Sequence, residues 1–425
     1  MLLLVSCGGN ESALTKANDV EVGKQANNEP IELVFYSPGS NGVTQEDFMN
    51  GLGNAIQQKF PNYKLTNITK QNDDTLNQLV AAGQPIDIMT TSIIKSIQFM
   101  LPVNAQSDIS DLVKKNKYDL SRLEPSTVQA QQQLANGGIY GLPTTTSSVA
   151  LFYNKDLFDK FGVAYPKDGM TWDDLYELAK KMTRTDSGQQ YKGLAINFLK
   201  VMDLEQLSPP WVDPKTFKAL VDKGDALRAF TNLVRFFQIP GNRLPDPKYN
   251  QGKQVNAFLK DKTAAMLLND SGYITKLEDL VNWDVVQVPF YKDKMGVGPQ
   301  SDANYLFVSS LSKHRDEAFK VLEYVTSEEY QKARIREGKF SILKDASKYM
   351  ADFGADLPYL KGKNIKSLIP EKYAVPAPIT VYDAIARDEL KDTIGDVANG
   401  VKDVNTALRE TAERVDKAIA EQRKQ

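Results

Sequence analysis

Gly138-Ile139-Tyr140-Gly141-Leu142-Pro143, then Thr144-Thr145-Thr146-Ser147-Ser148, then Val149-Ala150-Leu151-Phe152-Tyr153-Asn154-Lys155-Asp156-Leu157-Phe158 is the run that decides the fold, together with Thr171-Trp172-Asp173-Asp174-Leu175 shortly after it. The glycines and proline punctuate a turn. A polar patch follows, and Val149 to Tyr153 then reads as a buried strand. Thr171 is an N-cap with Asp174 in the capping-box position, which satisfies helix N–H groups from both sides. Trp172, Leu175, Leu178, Ala179 and Met182 make one apolar helix face, which core packing explains.

Three short wordings in this order and spacing resemble the crossover segment of extracellular solute-binding proteins of ABC importers, the family of maltose-binding protein. They are Tyr140-Gly141-Leu142-Pro143, Leu151 to Phe158, and Thr171 to Leu175. The likeness continues in Ala264-Ala265-Met266 with Ser271-Gly272-Tyr273, in Val285 to Pro289, and in Ser312 to Arg315 with Ala318 to Glu329. Residues 203–250 and 340–385 match poorly. The resemblance implies an α/β, two-lobed periplasmic-binding-protein-like type II fold with discontinuous lobes and a hinge. It implies chain crossings near Pro143, Pro289 and Phe340, with 30–143 plus 290–340 as one lobe and 144–289 plus 341–425 as the other.

The composition, 41% hydrophobic, is ordinary for a soluble globular protein and excludes several classes. The 425 residues fit two or three structural units. Net charge is −2 and no long basic block occurs, against the basic face of a nucleic-acid binder. No run of about 18 apolar residues marks a membrane span. One cysteine and one histidine exclude a Cys/His zinc cage and an internal disulfide. That cysteine lies in Leu4-Val5-Ser6-Cys7-Gly8, which resembles a lipoprotein lipobox, with Cys7 the lipidated residue. Residues 1–7 then read as a truncated signal, because the basic n-region of a complete one is missing. The polar, aperiodic residues 8–29 read as a disordered tether.

Along the remainder, strands and helices alternate. Ile31–Tyr36, Leu65–Thr69 and Ile86–Met89 read as strands, with helices over 44–60 and 73–82. Such alternation implies a parallel-rich sheet covered by helices, with ligands beyond the strands' carboxyl ends. Further strands are expected at Trp283–Pro289 and Asn304–Ser310, and helices at Ala226–Phe237, Asp316–Tyr330 and Gly400–Arg423, the last with Val401, Val404, Leu408, Val415 and Ile419 as its stripe. Thr185-Asp186-Ser187-Gly188 lacks the spaced carboxylates of a calcium loop and reads as a turn.

No catalytic set stands out. His314, at a helix start, reads as a surface residue, which leaves Ser-His-Asp and Cys-His arrangements without support. P-loop and dinucleotide fingerprints are missing. Sugar recognition needs hydroxyls and amides for ring edges and a flat aromatic wall for ring faces. Ser37, Thr90, Thr91 and Ser92 sit at strand ends. Thr144, Thr145 and Thr146 line the cleft or form an ordinary polar loop. Tyr36 is either a wall or core, and Trp211 is a second wall, core or surface. Tyr273 stands where the family's common tryptophan would, and a tyrosine ring still stacks and donates. Asn304 and Tyr305 begin a strand returning to the first lobe. The resemblance to the family implies that Asp87 is more structural than ligand-contacting.

The sequence therefore reads as the substrate-binding component of an ABC importer, not an enzyme. It is expected to take a small-molecule carbohydrate, an oligosaccharide, into the cleft and deliver it to the permease's transmembrane subunits. It is expected to be a monomer with no cofactor, metal or nucleic-acid partner, lipid-anchored at the outer face of a bacterial membrane. An oligopeptide- or polar-solute-binding lipoprotein, a surface glycoside hydrolase or lyase, and an adhesion scaffold remain alternatives.

Overall fold

The computed structural model describes residues 30–424 apart from 41 and 281. The expected lipidation site Cys7 and the 8–29 tether lie outside the described residues. Eleven strands run β1 (Ile31–Tyr36), β2 (Tyr63–Ile68), β3 (Ile88–Ser92), β4 (Gly141–Ser147), β5 (Val149–Asn154), β6 (Arg184–Asp186), β7 (Gln189–Tyr191), β8 (Ala195–Ile196), β9 (Met266–Asp270), β10 (Trp283–Val286) and β11 (Asp302–Val308).

A five-stranded sheet has the order β2-β1-β3-β11-β4, and a four-stranded sheet the order β10-β5-β9-β8. In the first, β1 pairs in parallel with β2 and β3, and β11 runs antiparallel between β3 and β4. Strand alternation sorts its side chains into two cores. Leu33, Phe35, Ile88, Leu306 and Val308 pack with Phe319 and Leu322 of the helix Arg315–Val325. Tyr36, Met89, Tyr305 and Phe307 pack on the opposite side with Leu76 and Met100. Asp87 is buried and accepts from Val34 N at 2.9 Å and from Ser312 Oγ at 2.6 Å, tying β1 to the loop after β11. That is a structural duty.

The second sheet is mainly antiparallel. Leu151, Leu268 and Val286 face a core that includes Trp172, Leu175, Ala179 and Met182 and the C-terminal helices Asp383–Ala398 and Val404–Gln422. Phe152, Leu267, Trp283 and Val285 face another core with Phe340, Phe353, Leu360 and Leu368.

Several boundaries differ from the sequence reading. The first helix covers 45–59 and carries a π-turn at Met49–Gly53. A Cβ on Gly53 would sit 2.5 Å from Met49 Sδ, so a larger residue there would require the Met49 side chain to move. The helix expected over 316–330 is two helices. Ser327 caps the second, Glu328–Arg336, by accepting from Tyr330 N, a cap worth about 1 kcal/mol. The last helix starts at Val404 behind the cap Asp403, which leaves Val401 69% exposed and outside the apolar stripe. The 185–188 turn closes the β6–β7 hairpin, with Ser187 and Gly188 at φ 49 and 78.

Three segments connect the sheets, and they lie side by side. β4 continues beyond Pro143 to Ser147, and the chain changes sheet at Ser148. Ser148 Oγ donates to the Gln300 carbonyl at 3.1 Å, on the return path, and Asp302 of β11 pairs with Ser147. Phe340 bridges to Thr146. Adjacent crossings of this kind define a common axis about which two bodies swing.

Candidate functional site

The gap between the two sheets holds two adjoining compartments of about 450 and 560 Å³, which share Ser92, Lys95 and Lys339 in their walls. The smaller lies against the five-stranded sheet. Ser37 and Ser40 enter it from the loop after β1, Thr90, Thr91 and Ser92 from the end of β3, Thr144 and Thr145 from β4, and Asn304 from β11. The parallel arrangement explains this clustering, since carboxyl ends of neighbouring strands point the same way. Thr144 Oγ1 donates to the Asn304 carbonyl at 3.2 Å and Thr145 Oγ1 to the Phe340 carbonyl at 3.2 Å. Gly39 lets the backbone close in: a Cβ there would lie 2.9 Å from Thr91 Oγ1.

Tyr273 faces the larger compartment, half-buried, with the Lys276 ammonium 4.9 Å from its ring centre. Asp270 caps the turn that carries it by accepting from Gly272 N. The ring therefore stands on a fixed support beside the gap.

Four expected site residues are placed elsewhere. Tyr36 is fully buried because strand alternation turns it into the core under β3. Burial, with the nearby Asp73 carboxylate, pushes its phenol up to about 12. Tyr305 is buried next to the exposed Asn304, and its hydroxyl donates to the Thr127 carbonyl at 2.9 Å. Adjacent strand residues face opposite ways, so Asn304 alone of that pair reaches the gap. Trp211 is 8% exposed within the core of the four-stranded sheet. Thr146 is buried at the Phe340 bridge. Nothing in residue type marked these four; the sheet's alternation and the packing of 203–250 decide them.

Charged residues that the sequence reading did not select line the same walls. In the larger compartment Lys200 bonds Asp270 at 3.0 Å and also Asp302, and Arg387 bonds Asp203 at 3.1 Å. Burial alone would lower the Lys200 ammonium, but the Asp302 and Asp270 carboxylates outweigh it and hold it above its usual range. In the smaller compartment the cations are Lys95, Arg334 and Lys339, and its wall contains no carboxylate among the described residues. Lys95 donates to Gln98 Oε1 at 2.9 Å, and Arg334 reaches Glu337 at 2.6 Å. Burial and the neighbouring Arg387 and Lys70 lower Lys95. Burial, Arg334 and Lys276 lower Lys339. Their signal in sequence was weak: lysines are common, and these come from segments far apart along the chain. Groups of three or more metal-type ligands do not occur among the described residues.

A gap between two sheet-centred bodies, crossed by three neighbouring segments and walled by hydroxyls, is the architecture that comparison with known proteins now places. The profile of the bacterial extracellular solute-binding proteins matches residues 41–332. The chain belongs to that family. This solute-binding protein is 27% identical over 303 residues to the sn-glycerol-3-phosphate-binding periplasmic protein UgpB of Brucella suis biovar 1, covering 68% of each chain. An ABC substrate-binding protein from Listeria monocytogenes in complex with cycloalternan superposes with a TM-score of 0.72 at 21% identity, over 92% of this chain and all of that one (100%). A sugar transporter from Rhizobium etli in an open conformation gives 0.71 at 22%, over 91% and 99%. At such identities the structural likeness shows the fold, which is the two-lobed binding-protein fold. The solute-binding protein has no helix long and apolar enough to cross a membrane among the described residues.

Proposed function

We propose that this protein is the substrate-binding component of an ABC importer and captures a carbohydrate, an oligosaccharide, between its lobes for delivery to the membrane permease. The observation that carries this reading is the interlobe gap itself. Hydroxyls and an amide from Ser37, Thr90, Thr91, Ser92, Thr144, Thr145 and Asn304 line one compartment of it, and the Tyr273 ring lines the adjoining one. Hydroxyls meet the edges of a sugar and the ring meets its C–H face. The lobes divide at the three crossings, and closure about them presents a liganded shape to the permease. The protein acts as a monomer without catalysis, held at the outer face of the membrane through a lipid on Cys7.

Family relatives leave the solute class broad, because one is named for a phosphorylated polyol and another holds a cyclic sugar. A thermal-shift screen against mono- and oligosaccharides tests the reading. A ligand at 100 times its dissociation constant adds about 2.7 kcal/mol, a shift of several degrees. Stabilisation without turnover supports the importer role, and release of reducing ends would replace it with an enzyme. Small-angle scattering should show a smaller radius in the bound form. Cys7→Ser should move the protein from the membrane to the soluble fraction with binding unchanged.

A further inference from the structure

We infer that the solute carries a negative charge, a carboxylate or phosphate on the sugar, and that the compartment between Lys95, Arg334 and Lys339 receives it. The inference rests on the carbohydrate reading and names the chemical class of solute.

The two compartments treat charge differently. In the larger one the ammonium of Lys200 and the guanidinium of Arg387 each meet a carboxylate of the protein, and Lys95 and Lys339, which line both compartments, share its wall with Asp203, Asp270, Asp302 and Asp388. Asp388, also in that wall, is exposed to solvent. In the smaller one three cations converge from separate parts of the chain: Lys95 after β3, Arg334 near the end of the helix Glu328–Arg336, and Lys339 beyond it. Only Arg334 has a carboxylate within ion-pair reach, Glu337, which lies outside the compartment wall. Lys95 and Lys339 make no ion pair among the described residues; Lys95 leans on an amide oxygen and on the Phe99 ring.

Placing like charges together in a partly dry site costs free energy unless something opposite fills it. A surface built for neutral sugars gains nothing from that arrangement. Burial is the main cause that lowers both lysines; Arg387 and Lys70 add to it at Lys95, Arg334 and Lys276 at Lys339, and the Asp388, Asp73 and Glu337 carboxylates oppose it. A second, independent feature points to the same place. Thr91 is 4% exposed, and no partner among the described residues reaches its buried Oγ1. Buried hydroxyls are nearly always hydrogen-bonded; this one has almost no open surface, so an anionic oxygen accepts from it once the Gly39 backbone packed against it shifts. Cations, a free buried donor and strand-end hydroxyls together make a site for a carboxylate or phosphate whose sugar extends toward Tyr273.

Matched probes test this by titration calorimetry on the full chain: trigalacturonate against its methyl ester, glucose 6-phosphate against glucose, and inorganic phosphate alone. The expected result is that a charged member binds at least about tenfold tighter than its neutral twin, with affinity falling as salt rises. The pair that responds distinguishes carboxylate from phosphate. Lys339→Met and Lys95→Met should each weaken the charged member about tenfold, while the unliganded protein melts no lower than wild type. Thr91→Val should weaken it severalfold and gives a variant that leaves the lysines in place. Equal binding of charged and neutral sugars, without salt dependence, overturns the anion site and leaves the carbohydrate reading standing. Binding of phosphate with no sugar of either kind does the reverse. Failure of every anion to bind overturns the proposal.

Discussion

The two walls of the cleft use the same residue types to opposite ends. On the side of the four-stranded sheet, Lys200 lies between Asp270 and Asp302, and the latter belongs to the other sheet. That trio holds one cation between two carboxylates, a net −1, and ties the two sheets together at the crossing. On the side of the five-stranded sheet, Lys95 and Lys339 make no ion pair among the described residues, with Asp388 and Asp73 near the first and Glu337 near the second only at longer range. Paired charge holds structure together; unpaired charge waits for a partner.

The comparison breaks most visibly at Lys200. Lys200→Met removes the cation and leaves two carboxylates facing each other, each side chain less than a quarter exposed. Breaking such a partly buried cluster should cost about 2–3 kcal/mol, read from urea unfolding. Adding Asp270→Asn and Asp302→Asn should restore most of it. If the single variant lost less than about 0.5 kcal/mol, a value typical of exposed pairs, the trio would not be the structural half of the contrast.

A second test concerns the Tyr273 ring in the wall of the larger compartment. Tyr273→Ala should weaken the carbohydrate found in the screen by about tenfold, which is 1.4 kcal/mol, while Tyr273→Trp should stay within a few-fold. Equal affinity for a folded Tyr273→Ala removes the ring from the site.

The pH dependence of the unmatched wall has a definite sign. Lys95 and Lys339 sit below their ordinary 10.5 in the unliganded fold. The fold binds fewer protons there than the unfolded chain, so unliganded stability rises with pH between the lowered value and 10.5. A bound anion favours the charged lysines. Affinity for the charged probe should therefore be flat near neutrality and fall once pH passes the lowered values. Calorimetry in two buffers of different ionisation heat should detect proton uptake in that window. The smallest effect is expected at Tyr36: Tyr36→Phe should leave affinity within about twofold, since its ring lies in the core.

The sequence was most legible where local signals and tertiary demands coincide. The Thr171–Asp174 capping box and the apolar face behind it are present as read, with Thr171 Oγ1 and Asp174 Oδ2 at 2.7 Å. Strand-end hydroxyls were legible because a parallel sheet sends its carboxyl ends one way. Which of two neighbouring residues faces the cleft was not legible, and this separates Asn304 from Tyr305. Nor was the cation cluster. Lys95 and Lys339 line one compartment only because β3 and the segment after Arg336 converge, and nothing local announces it. Residues 340–385 fold as short turns around Phe353 and Leu360 without a repeating pattern.

The π-turn at Met49–Gly53 holds a spare residue. Phe48 and Ile56 both enter the core of the five-stranded sheet. In an uninterrupted α-helix, positions spaced like these would be out of phase by about 80°. The wide turn absorbs one residue and brings both side chains onto one stripe, while Gly51 is exposed in the wall of the smaller compartment beside Leu52, which also packs on that core. The helix thus works like a strip with a shim slipped under its middle. Deleting Gly51 should let it relax to plain α-winding with Phe48 and Ile56 still in phase. The protein would keep its melting temperature within a few degrees and lose one face of its cleft. In this helix, core register and cleft contour are set by separate residues, so the contour can change by one amino acid at a time while the core stays fixed.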